Sequence, residues 1–227
     1  MSNQNKYIIS IVGSKGGSAK TLTAHILCHG LALRGFSAIL ATSDPKRKVR
    51  DDTNRKYATY AAQDDKSVGE LIDHFASVDI NVTSFIVFDG GASRLEADVE
   101  FTKTSDLTLI PFLTDCEDIE TMIDDLAFMS ESLSEDDFDK IRLLPSKFPT
   151  NHFKIESTNK LLNEMLTDSH NELMLAPVNE VSAAAKLNRP DGEKISSDVN
   201  SIARGLADQV LLQLNEYPFQ YIIKRKF

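Results

Sequence analysis

Between a β-branched run, Tyr7 to Val12, and a stretch of helical apolar spacing, Leu22 to Leu33, lies the segment Gly13-Ser-Lys-Gly-Gly-Ser-Ala-Lys-Thr21. A strand that passes through small residues and lysines directly into a helix is the start of a βαβ unit. It is also where a phosphate cradle belongs. Successive backbone N–H groups at a helix N-terminus, reinforced by the helix dipole, bind phosphate oxygens, and small residues let the backbone approach them closely. Gly16, Gly17 and Ser18 supply that closeness, Lys20 is placed to put its ammonium on the β- and γ-phosphates, and the Thr21 hydroxyl to ligate Mg²⁺. The strict pattern G-x-x-x-x-G-K-[ST] is not met, because Ser14 and Ala19 stand at its glycine positions. If the chain needs positive φ at Ala19, the Cβ there costs about 1 kcal/mol or more.

The alternation continues along the chain. Strands are expected at Tyr7 to Val12, Ala38 to Ala41, Phe85 to Phe88, Leu107 to Phe112, Ile141 to Leu144 and Leu173 to Ala176. Helical spacing is expected at Leu22 to Leu33, Val68 to Phe75, Ile119 to Met129, Ile155 to Leu166 and Ile195 to Leu214. In the last of these Ile195, Val199, Ile202, Leu206, Val210 and Leu214 make one apolar stripe. The reading is α/β: a mostly parallel twisted sheet with helices on both faces, formed by a single domain over 1–227 with a short basic and aromatic tail at 216–227. No repeat, low-complexity stretch or Gly/Ser linker divides it.

With 41% apolar and 26% charged residues the chain is compositionally an ordinary globular protein. It lacks the run of about 18 to 20 apolar residues that spans a bilayer, and it lacks a signal peptide pattern, so a cytoplasmic location is expected. Cys28 and Cys116 are too few for a disulfide framework and have no C-x-x-C spacing. The net charge of −9 hides a strong asymmetry. Residues 115 to 139 hold eleven acids and no Lys or Arg, and outside that stretch 25 basic residues meet 23 acidic ones. Lys46, Arg47, Lys48, Arg50, Arg55 and Lys56 cluster against Asp51 and Asp52, so an anionic partner is compatible with the acidic total.

The loop carries a second lysine, Lys15, five residues before Lys20, giving K-G-G-x-x-K-T. This resembles the deviant Walker A motif of the ParA/MinD family of ATPases, and closest to it the small plasmid-partition members. Two further motifs agree. Thr42-Ser-Asp-Pro-Lys46 resembles the family's D-x-D-P-Q, keeping Asp44 and Pro45 while Thr42 and Lys46 replace the first Asp and the Gln. Phe85-Ile-Val-Phe-Asp89, followed by Gly90-Gly91, resembles a Walker B strand, and Ser105-Asp-Leu-Thr-Leu-Ile-Pro-Phe112 resembles the family's A-D-L-V-L-I-P-V strand.

The resemblance implies a P-loop NTPase type of fold binding ATP and Mg²⁺. It assigns nucleotide contacts to Lys15, Gly16, Gly17, Ser18, Ala19, Lys20, Thr21 and Leu22, metal-shell roles to Thr21, Asp44 and Asp89, and catalysis to Lys15, Lys20 and Asp44. Lys15 is expected to reach the nucleotide of a partner subunit, so that ATP drives homodimerisation and slow hydrolysis reverses it. It further implies a DNA segregation or positioning role through non-specific phosphate contacts, an adaptor or activating partner protein, and a nucleoid-associated location. Lys46, Arg47, Lys48, Arg50, Lys224, Arg225 and Lys226 are the DNA-binding candidates. Three alternatives stay open: a MinD-like membrane-associated ATPase using the C-terminal tail, a dethiobiotin-synthetase-like ligase, and a nucleotide-binding module that no longer hydrolyses.

Two other patterns are read as structural. In the acidic helix, Ile119, Met122, Ile123, Leu126 and Met129 form the buried stripe, leaving Asp118, Asp124 and Asp125 outward. His25, Cys28 and His29 share one helix, but without a third ligand of the H-E-x-x-H kind they are expected to be packing residues rather than a metal site.

Overall fold

The computed structural model describes residues 5–42, 55–62, 64–77, 82–91, 95–188 and 194–216. Its centre is a parallel sheet of six strands: β1 (Lys6–Ile11), β2 (Ser37–Thr42), β3 (Ala58–Ala61), β4 (Ser84–Asp89), β5 (Leu107–Phe112) and β6 (Ile141–Pro145). The spatial order is β3-β2-β4-β1-β5-β6. The chain therefore moves from β1 to one side of the sheet, returns to β4 beside β1, and then builds the other side. β1 stands at the reversal, where the carboxyl ends of open α/β sheets collect ligands.

Helices cover both faces: α1 (Lys20–Leu33), α2 (Asp65–Ser77), α3 (Leu95–Thr104), α4 (Cys116–Ser132), the short α5 (Glu135–Phe138), α6 (His152–Met165), the short α7 (Asp168–Glu172), and α8 (Ser197–Gln213), with a 3₁₀ turn at Ser182–Asn188. Strands buried on both faces read as continuous apolar runs rather than alternating ones. In β4, Phe85 and Val87 join the core under α1 and α8, while Ile86 and Phe88 join Leu71 and Phe75 of α2 on the other face. In β5, Leu107 and Leu109 face α1, and Ile110 and Phe112 pack with Ile119, Met122 and Met129 of α4.

α1 and α8 approach closely. A Cβ built on Gly30 lies 1.9 Å from the carbonyl oxygen of Ala203, so only glycine fits that crossing. Arg34 and Asp208 pair at its far end. The expected stripe of α8 holds: Val199, Leu206 and Val210 are buried, and Ile195, Ile202 and Leu214 are packed against the same core. Glu216, just after α8, accepts hydrogen bonds from the Tyr7 hydroxyl at 2.7 Å and from the Asn5 amide, at the amino end of β1. Burial and then Glu216 push the Tyr7 phenol up to about 12.

Five of the six expected strands form within a residue or so of their expected limits. The sixth does not. Leu173 to Ala176 contributes one bridge, Met174 to Leu143, made by Leu143 N to Leu173 O and Leu175 N to Leu143 O, both 2.9 Å. Pro177 has no N–H to carry the ladder on, and α7 occupies the residues just before it. β3 was not expected, because Ala-Thr-Tyr-Ala has no apolar run; it is a short, largely exposed strand beside β2. α3, α5 and α7 were likewise not expected.

Candidate nucleotide site

β1 ends under the loop, and Val12 N donates to Leu109 O at 3.0 Å. From Gly13 the chain turns away from the sheet and re-enters as α1 through Ala19, which lies at φ 68, ψ 13. This is the left-handed conformation that Ala adopts at a cost of about 1 to 2 kcal/mol. Ala19 is the N-cap of α1, and no side chain caps the helix there. The first-turn amides of such a helix are available to an anion.

Lys20 is buried, and its ammonium closes the loop from within, donating to Gly13 O at 2.7 Å and Lys15 O at 2.8 Å. Ser18, also buried, donates from Oγ to Lys15 O at 3.1 Å. A Cβ on Gly16 or Gly17 meets nothing within 4 Å, so the glycine pair faces open space. Thr21 Oγ1 donates to Asp89 Oδ1 at 3.1 Å. That contact joins the first turn of α1 to the carboxyl end of β4, and it depends on Gly90. A Cβ at Gly90 lies 2.7 Å from Ile11 O, the same carbonyl that accepts from Gly90 N.

Two helices on the other side of the loop supply acids. Asp98 of α3 accepts from Gly13 N at 3.1 Å, and Asp125 of α4 accepts from Ser14 N at 2.8 Å. Lys15 is paired with Asp118 at 3.0 Å and Glu117 at 3.2 Å, both in the first turn of α4. Desolvation pulls the Lys15 ammonium down, but the hydrogen bonds from Asp118 and Glu117 outweigh it and leave its pKa above the ordinary lysine value. Burial raises Asp118, with Lys15 pulling the other way.

These contacts correct the expectation for the acidic helix. Asp124 is exposed as expected, but Asp118 and Asp125 are buried. Their spacing shows why: residues 118, 122, 125 and 129 step by four, three and four, so both acids lie on the same inward face as Met122 and Met129. Burial of a carboxylate there is tolerated because each has a donor from the loop. That spacing was the signal in the sequence, masked by a general rule that acids face solvent.

His25 and His29 are packing residues. His25 Nδ1 is 2.6 Å from the Tyr57 hydroxyl, and His29 Nε2 is 2.7 Å from Asn200 Oδ1. Burial lowers the His29 pKa, against the bond to Asn200. Burial, and then the charge of Asp89, pushes the Cys28 thiol well up, so it stays protonated. No cluster of three or more His, Cys, Asp or Glu suited to a metal occurs among the described residues.

Next to the loop lies a cavity of about 150 Å³ that the sequence did not announce. Ala19, Leu22 and Ile26 form one wall, and Lys147, Asn179 and Glu180 another. Lys147 turns the chain after β6 with φ 51, a conformation uncommon outside glycine. Leu22, expected at the nucleotide, lines this cavity.

Thr42, the last residue of β2, is the register partner of Asp89 across β2 and β4. Asp44, Lys46, Arg47, Lys48, Arg50, Lys224, Arg225 and Lys226 lie outside the described residues. No helix among the described residues is long and apolar enough to cross a membrane.

A family model for the CobQ/CobB/MinD/ParA nucleotide-binding domain matches residues 9–191. The chain belongs to that family. No curated protein matches it in sequence. Solved structures with the same fold include a plasmid partition protein from Borrelia burgdorferi bound to AMPPNP, at 14% identity and TM-score 0.63, covering 92% of this chain and 100% of that one. The septum site-determining protein MinD from Pyrococcus horikoshii, complexed with Mg-ADP, aligns at 16% identity and TM-score 0.59 over 98% of this chain and 100% of its own. Cobyrinic acid a,c-diamide synthase from Mycobacterium smegmatis, with an ATP analogue and magnesium, aligns at 13% identity and TM-score 0.62 over 92% and 96%. The CobQ/CobB/MinD/ParA domain thus accounts for the loop, the parallel sheet and the order of the strands.

Proposed function

We propose that the chain is a ParA-like ATPase whose ATP-bound homodimer binds DNA without sequence preference and whose slow hydrolysis releases it, segregating or positioning a DNA cargo with an adaptor protein. The observation that carries the reading is the Lys20–Thr21–Asp89 arrangement at the uncapped start of α1. The donor set fits a magnesium nucleotide. Lys20 and the first-turn amides of α1 would meet the phosphate oxygens, Thr21 and Asp89 are hard oxygen donors suited to Mg²⁺ and its waters, and the cavity beside Ala19 and Leu22 would take the base. Asp89, Asp98, Asp118 and Asp125 are buried around two lysines, which favours a triphosphate that enters with a divalent cation. Mg²⁺, when bound, supplies neutralisation of the charge that develops on the phosphoryl oxygens. Lys20 would meet that charge, Thr21 and Asp89 would hold the metal and its waters, and Asp44 would orient the attacking water. Lys15 acts on the partner subunit's nucleotide, which distinguishes this reading from that of a small-molecule ligase.

The test is retention on non-specific duplex DNA at fixed low salt with ATP, ADP or no nucleotide, with molar mass measured by light scattering in the same samples. ATP-only binding by a dimer is expected. Lys20→Ala removes charge-assisted hydrogen bonds and should weaken ATP binding by about 100-fold. Lys15→Ala should bind ATP as a monomer and stay off DNA. Dimerisation without DNA binding would transfer the role to a membrane or protein cargo, and absence of any ATP response would overturn the ATPase reading.

A further inference from the structure

We infer that Asp118 is a positioning residue that seats Lys15 within its own subunit, so that Lys15 reaches a phosphate only by giving up a buried carboxylate. The consequence for dimerisation rests on the role proposed above for Lys15; the seat itself does not.

Asp118 is 4% exposed and lies 3.0 Å from Lys15 Nζ, whereas the other partner, Glu117, is exposed and lies at 3.2 Å. The two contacts are therefore unequal. Glu117 regains water when Lys15 leaves, but Asp118 keeps its burial and loses its cation, and removing one partner of a buried pair is far costlier than removing one from an exposed pair. Two other features hold the seat in place. Asp115 Oδ1 accepts from Asp118 N at 3.0 Å, which fixes the first turn of α4. Two turns further along, Asp125 holds Ser14 N, so α4 grips successive loop residues, Ser14 and Lys15, from one face. Lys15 and Asp118 are in direct contact at 3.0 Å, and the pocket they line with Asp125 holds only about 10 Å³, no more than one water needs, so no phosphate sits between them in this arrangement. The Lys15 ammonium has two mutually exclusive positions, on α4 or on a phosphate. The strength of the first sets the protein concentration at which ATP draws two subunits together.

The experiment uses the full chain without nucleotide and measures acetylation of Lys15 by mass spectrometry, with Lys103 as the internal reference. Asp118→Asn should raise the Lys15 rate severalfold and leave Lys103 unchanged, because the amine loses the partner that keeps it protonated and held. Asp118→Glu should return the rate toward the parent's, and Glu117→Gln should change it little. With ATP, Asp118→Asn should dimerise at a severalfold lower protein concentration than the parent. A Lys15 rate unaffected by Asp118→Asn would overturn the seat, and a raised rate with an unshifted dimerisation midpoint would overturn the competition. If Lys15→Ala dimerises with ATP like the parent, it is the cross-subunit role that fails, and the acetylation rates still decide the seat.

Discussion

α1 and α4 begin within reach of the same loop, yet their first turns are built in opposite ways. α1 starts at a left-handed Ala19 with no side-chain cap and no acid in its first turn. α4 starts at Asp115, whose carboxylate caps the Asp118 amide, and carries Glu117 and Asp118 in its first turn. α6, α7 and α8 follow α4, capped by Asn151, Thr167 and Ser196. A helix satisfied by its own cap has no use for an external anion, and its dipole is already opposed by its acids. The start of α1 thus leaves its first-turn amides open to an anion, whereas the capped start of α4 turns its acids to the lysine and the amide of the neighbouring loop.

The comparison can be broken most severely at the seat of α1. Gly30→Ala places a methyl against the Ala203 carbonyl and should cost about 3 kcal/mol, the upper range for overpacking, read as a loss of the urea unfolding midpoint with an unchanged slope. A smaller effect is expected at the start of α4. Asp115→Ala removes a cap worth about 1 kcal/mol, and should lower the melting temperature by about 2 to 4 °C in a domain of this size. It should also speed Lys15 acetylation slightly, because the turn bearing Asp118 loosens. The smallest change is Ala19→Gly, which relieves a left-handed alanine and should stabilise the fold by up to about 1 kcal/mol while keeping nucleotide binding. A destabilised Ala19→Gly in the same melting assay would show that the Ala19 methyl is needed as a wall of the adjacent cavity.

The loop and the sheet were legible because their signals are local. Tyr7 to Val12 followed by Lys-Gly-Gly and an apolar helix has one arrangement in a parallel sheet, and the Lys20, Thr21 and Asp89 contacts follow from strand ends that meet at one edge. Ala19 was flagged by its departure from glycine, and its positive φ bears that out. What escaped was non-local. Asp118 and Asp125 were assigned to solvent by type, although their spacing put them on the buried face of α4, because only the folded loop supplies their donors. The cavity by Leu22 is closed by segments from Ser146 to Ile202, more than a hundred residues away in sequence, and no short pattern encodes such a meeting. Leu173 to Ala176 had strand composition, but Pro145 and Pro177 both lack an N–H, so the pairing is interrupted after the Met174–Leu143 bridge and resumes only at Val178.

Glu216, just past the end of α8, is tied to the Asn5 and Tyr7 side chains. Glu216 sits at the amino pole of the sheet, and the phosphate loop at the carboxyl pole, roughly 20 Å away along the six residues of β1. Glu216 is thus fixed a strand's length from the loop. α1 leaves the loop and packs against α8 at Gly30, and α8 ends one turn before Glu216. Two packed helices thus span the sheet from the loop at one pole to Glu216 at the other.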